Sequence, residues 1–143
     1  MKSLQPWLLF SLGSAFFAGL TAILGKLGVV GLNSNLATLI RTIVVLVVTA
    51  GIVSLRNEWV WPKAVALKPM AFLVLSGIAT GLSWLCYYRA LQLAPASVVA
   101  PIDKLSVGFA IFLGIVVLGE PFTWRIGVGG ALVVAGALVI ATS

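Results

Sequence analysis

Five ionisable residues stand inside otherwise apolar stretches of this sequence: Lys26, Arg41, Arg89 and the adjacent pair Asp103–Lys104. A charged side chain at the centre of a bilayer costs roughly 3 kcal/mol or more, so such residues are kept for a use. They can hold a counter-ion, relay a proton or pair with one another. Four cations against one carboxylate form a basic set, which favours ligands bearing a carboxylate or phosphate. Asp103 can carry a coupling proton or meet a substrate amine. Other chemistry is not on offer. The chain has no histidine and one cysteine, and it lacks metal-ligand spacing and a paired-acid motif. No metal, no cofactor and no enzymatic reaction are therefore expected. Cys86 reads as a small apolar filler within a helix.

The elements that must position these groups follow from composition. Only 8% of the 143 residues are charged and 62% are hydrophobic, with a mean hydropathy of +1.21. A soluble domain carries about a quarter charged residues, so water is not the main solvent of this chain. The net charge of +6 comes from scattered bases with no basic run. Loop charges set by membrane orientation explain it, and nucleic acid is not an expected partner. Five apolar stretches, at about 7–25, 35–55, 69–93, 96–118 and 122–141, are each long enough to cross a bilayer. The expected fold is an all-α membrane protein: a single domain, 1–143, with five transmembrane helices embedded in lipid. The segments KLGVVGLNSN, RNEWVWPKAVALK, QLAPAS and GEPFTWR separate the stretches. The first stretch is too long for the apolar part of a cleaved leader and is expected to remain as a span.

Successive spans alternate the loops between two faces. Lys2, Arg56, Lys63, Lys68 and Arg125 share one face with Trp7, Trp59, Trp61 and Trp124. By the positive-inside rule and the aromatic belt, that face and the N-terminus are cytoplasmic, in a cell inner (plasma) membrane. The bias is modest and is compatible with dual topology.

The same threading brings Lys26, Arg41, Arg89 and Asp103–Lys104 to the other side. Arg41 and Asp103 lie about seven residues in, or ~10 Å at 1.5 Å per residue, towards the middle of a layer about 30 Å thick. Small residues line the faces of two of these charges: Ala15, Gly19 and Ala22 for Lys26, and Ala96, Ala100, Ala110 and Gly114 for Asp103. Ser76, Thr80, Ser83 and Tyr87 form a polar stripe on the third span, with Trp84 beside it. Pro101 removes a backbone donor beside Asp103 and is expected to open a kink. Plainer roles stand beside these. Lys26, Lys104, Arg89 and Arg41 can snorkel to headgroups. Asp103 can form a static ion pair with Arg41 or Lys26 that sets helix register. The serine stripe can be helix–helix glue, and the glycines of the last span suit close packing within the chain or against a second copy.

The stretch from Tyr87 to Ile140 resembles the second half of an EamA-type repeat of the drug/metabolite transporter superfamily. Ala90-Leu91, Ala94-Pro95-Ala96-Ser97, the intrahelical Pro101, Gly119-Glu120-Pro121 and the glycine-rich last span occur in the family's order. Lys26 and Arg41 also match positions where such repeats carry bases. The usual Pro-Val-Phe of the fourth span reads Ser106-Val107-Gly108 here. The resemblance implies half of an inverted-repeat transporter fold, of the short five-span branch. It implies export of a small-molecule substrate, an amino acid or organic anion, by alternating access. Inverted repeats place substrate between two halves, so an antiparallel homodimer or a partner half-transporter is expected. The residues expected along the pathway are Lys26, Arg41, Ser83, Trp84, Tyr87, Arg89, Pro101, Asp103 and Lys104. Alternatives are a lipid-carrier flippase component, a cationic multidrug exporter and a non-transporting membrane subunit. The multidrug reading ranks lower because the first span has no acid.

Overall fold

Each apolar stretch forms helix where hydrocarbon would leave its backbone no other hydrogen-bond partners. The computed structural model describes residues 5–59 and 67–142; Lys2, Trp61 and Lys63, used in the orientation argument, lie outside them. The helices are α1 (Pro6–Gly28), α2 (Ser34–Leu55), α3 (Leu67–Leu93), α4 (Ala96–Asp103), α5 (Ser106–Leu118) and α6 (Trp124–Ala141), with no strand among the described residues. With α4 and α5 counted as one span, five helices are long and apolar enough to cross a membrane. Several hydroxyls in the spans satisfy themselves locally: Thr38, Thr42, Thr49 and Thr80 each donate to the carbonyl four residues earlier.

The helix ends follow from local chemistry. Gly31, at φ 74°, takes the left-handed turn after α1. Asn33 then caps α2, its side-chain oxygen accepting from the Asn35 amide at 2.9 Å. At the far end of α2, Asn57 adopts φ 54°. The amide of Glu58 reaches the carbonyl of Val53 at 2.9 Å and that of Asn57 reaches Ser54 at 3.2 Å. This paired closure satisfies two orphan carbonyls. Thr123 caps α6, accepting from the Ile126 amide at 3.3 Å. α3 begins at Leu67, before the expected start at Pro69, because a first-turn amide has no intrahelical acceptor and proline loses nothing there.

The contacts divide the chain into two compact units. One runs up to Lys26 and resumes at Leu93. In it α4 and α5 both pack on α6. Glycines permit the approach: a Cβ at Gly130 would lie 2.6 Å from Ile111 Cδ1, and one at Gly108 would lie 3.1 Å from Val134 Cγ2. The unit buries Ala22, Ala96, Val99 and Ala137. Gly129 and Gly136 face open space.

The other unit is Leu27–Gln92. It buries Val29, Ser34, Ala37, Thr38, Tyr88 and Leu91, all near the start of α2 and the end of α3. Towards the opposite ends of the two helices, residues such as Val47, Ile52, Phe72 and Leu75 are exposed. Such apolar surface suits acyl chains or another apolar helix.

Candidate functional site

The fourth span is where the backbone departs most from a continuous helix. Pro101 lies inside α4 and has no amide to give to the carbonyl of Ser97. Three residues on, the ladder tightens. The amides of Lys104, Leu105, Val107 and Gly108 each bond the carbonyl three residues back, at 3.0 Å. α4 therefore ends at Asp103 and α5 begins at Ser106. Such a turn advances about 120° per residue instead of 100°. It breaks the expected small-residue line running from Ala96 through Asp103 to Gly114. Ala96 and Gly114 are buried, but Ala110 is exposed.

The two ionisable residues of this span stand at the interruption. Lys104 Nζ donates to Asp103 Oδ2 at 3.2 Å, with side chains 52% and 38% exposed. A pair between sequence neighbours cannot set the register of two helices. The ion pair that Asp103 makes is thus a local one, with its sequence neighbour. Beside it is an open cavity of about 390 Å³, lined by Ala100, Pro101, Lys104, Val133 and Ala137. Its wall is apolar, and Lys104 supplies the charge at its edge.

Lys26 occupies the last turn of α1 and is half-buried. Its ammonium donates to the carbonyl of Ala94 at 2.9 Å, in the turn between α3 and α4. Pro95 follows, and a cation placed there satisfies a carbonyl released at the end of a helix.

In the other unit, Arg41 of α2 is half-buried. Its guanidinium carbon lies 4.1 Å from the centroid of the Trp84 ring and 5.5 Å from that of Tyr88. The aromatic faces attract the cation. Trp84 and Tyr88 are four residues apart on α3 and therefore share a face. That spacing was the signal for Tyr88, which was absent from the expected set. Tyr87 is half-buried and makes an edge contact with the Tyr88 ring, at 6.4 Å between centroids.

Arg89 is exposed near the end of α3 and donates to Gln92 Oε1 at 3.0 Å. Gln92 Nε2 in turn donates to the carbonyls of Leu32, at 2.6 Å, and Val29, at 3.4 Å. This relay ties the turn before α2 to the end of α3, and no periodicity in the sequence marks Gln92. Ser83 is exposed, and the Thr80 hydroxyl is bonded to the Ser76 carbonyl. The structure thus assembles two polar centres, each within one unit: Asp103–Lys104 at the helix break, and Arg41 on its aromatic shelf.

Comparison with known proteins adds the following. A sequence model of the EamA-like transporter family matches residues 5–142. A Sinorhizobium sp. protein described as an uncharacterized transporter in the cobO 3′ region is 47% identical over 137 residues, covering 96% of this chain and 97% of that protein. The two chains are thus of nearly equal length. No solved structure matches the chain.

Proposed function

The chain belongs to the EamA-like transporter family and is a multi-pass membrane protein, and from that premise we propose that it exports a small metabolite across the plasma membrane by alternating access, as an antiparallel homodimer. The observation that carries this reading is the interrupted fourth span. Non-helical backbone at membrane depth is tolerated where it is buried in protein or lines a wet cavity, and discontinuous helices are a common way to build a substrate site in secondary transporters. Here the interruption coincides with the charged pair and the 390 Å³ cavity. Asp103 carries the coupling proton. Its only ion-pair partner among the described residues is its neighbour Lys104, at the helix break.

A single repeat is what supports the dimer in this reading. One five-span repeat supplies one wall of an inverted-repeat pathway, and a second copy inserted upside down supplies the other. The exposed apolar faces of α2 and α3 give such a copy surface to pack on. A relative of nearly the same length supports the view that a single repeat is the working unit. A non-transporting subunit is the second reading, favoured by Lys26, whose ammonium is engaged by a backbone carbonyl.

The test is reconstituted flux. Purified protein in liposomes is screened under a pH gradient against amino acids, organic acids and amines. Gradient-dependent movement of one class is expected. Asp103→Asn should lose the gradient-driven component and keep exchange of labelled for unlabelled substrate. No flux for any class would leave the subunit reading, and unchanged gradient dependence in Asp103→Asn would remove Asp103 from the mechanism.

A further inference from the structure

We propose that Arg41, held against Trp84 and Tyr88, is the binding site for a carboxylate on the transported molecule. The proposal rests on the transporter reading for the word "transported" and on a separate observation for the site.

That observation is an imbalance around Arg41. The chain has three acidic residues against nine bases. Each of the three acids has a neighbour of its own. Glu58 pairs with Arg56 at 3.1 Å. Asp103 pairs with Lys104 at 3.2 Å. Glu120 folds back over Gly114, where an added Cβ would meet its Oε2 at 2.8 Å. Among the described residues Arg41 has no hydrogen bond and no ion pair, only the two aromatic rings. A guanidinium about seven residues inside a membrane span calls for an anion, and no acid among the described residues pairs with it.

The geometry suits an incoming carboxylate. The five N–H donors of a guanidinium lie in its plane, in a fork that matches two carboxylate oxygens. A ring over the guanidinium engages its face and leaves those donors unused. The shelf also restrains the long side chain before the ligand arrives, which lowers the ordering cost of binding. The single charge favours a carboxylate over a phosphate dianion. The neighbouring base on α3, Arg89, is turned to Gln92 instead. No acid in this unit is free to accept a substrate ammonium, because Glu58 is held by Arg56. The expected ligand is therefore a small organic acid, recognised by its carboxylate.

The full chain is purified with Trp84 as its remaining tryptophan, the other four replaced by phenylalanine. Its fluorescence is titrated with butyrate, with inorganic phosphate, and with phosphatidylglycerol in neutral-lipid vesicles. A saturable response to butyrate is expected. Arg41→Gln should abolish it. Arg41→Lys, which keeps the charge but loses the fork, should weaken it at least about tenfold. Both variants are checked for an unchanged elution profile in detergent, and the Lys variant decides if the Gln variant does not fold. An equal response in either folded variant, or no response to butyrate, overturns the proposal. A response confined to phosphate overturns the carboxylate assignment, and one confined to phosphatidylglycerol assigns Arg41 to the bilayer and overturns it too. Organic-acid flux in the same preparation separates the two readings. Flux with Arg41-independent binding sinks the site and leaves the transporter. Arg41-dependent binding without flux of any substrate sinks the transporter and leaves the site.

Discussion

Lys26 and Ala94 are 68 residues apart in sequence, yet the ammonium of one donates to the carbonyl of the other at 2.9 Å. The bond closes the end of α1 onto the turn that starts the fourth span. It gives Lys26 a structural task that its place in an apolar run does not reveal.

Replacing Lys26 by methionine keeps the length of the side chain and deletes the donor. A hydrogen bond from a charged group contributes about 1.5–3 kcal/mol. Lys26→Met should therefore lower stability by about 2 kcal/mol, read as a shift in thermal or denaturant unfolding in detergent. Unchanged stability would mean that the bond with Ala94 is replaced by solvent at no cost.

Pro101→Ala returns an amide to the fourth span, where it can bond the Ser97 carbonyl. A proline inside a helix costs about 3 kcal/mol, so the variant should be more stable, with α4 and α5 merging towards one helix. Amides 101–105 should exchange more slowly with deuterium, and flux should fall severalfold if the interruption serves transport. Faster flux together with slower exchange would contradict that role.

The glycines of α6 divide into two kinds. A Cβ at Gly130 would lie 2.6 Å from Ile111 Cδ1, whereas Gly129 faces open space. Gly130→Val should destabilise the chain by about 1–3 kcal/mol through overpacking. Gly129→Ala should gain up to about 1 kcal/mol from helix propensity. Unfolding midpoints of the pair compare them directly, and similar losses at both positions would contradict the packing of α5 on α6.

The proposed antiparallel homodimer has a direct consequence. A cysteine added at either terminus, in a Cys86→Ala background, should be labelled by an impermeant reagent in part from each side of the membrane. Labelling of one terminus from one side in every molecule would rule out the antiparallel homodimer and direct attention to a partner half-transporter.

Much of the fold was legible in the residues. Arg41 and Asp103 stood out because charge in an apolar run is visible one position at a time. Pro101 announced a disturbance of the fourth span. What it did not announce was where the helix would stop. The break lies beyond the proline, between Asp103 and Ser106, and depends on a run of tightened hydrogen bonds within a span packed on α6. Tyr88 could have been read from its spacing to Trp84. Gln92 could not, since its partners are backbone carbonyls of Val29 and Leu32.

By itself, the order of residues determined five membrane-length helices and where along them the charges stand, because hydropathy and helical rise are local properties that accumulate along the chain. Tertiary structure alone decided which groups meet: Arg41 with Trp84 and Tyr88, Lys26 with Ala94, and Asp103 with its own neighbour. Partnership depends on helix rotation and approach, and these are settled by packing between segments distant in sequence.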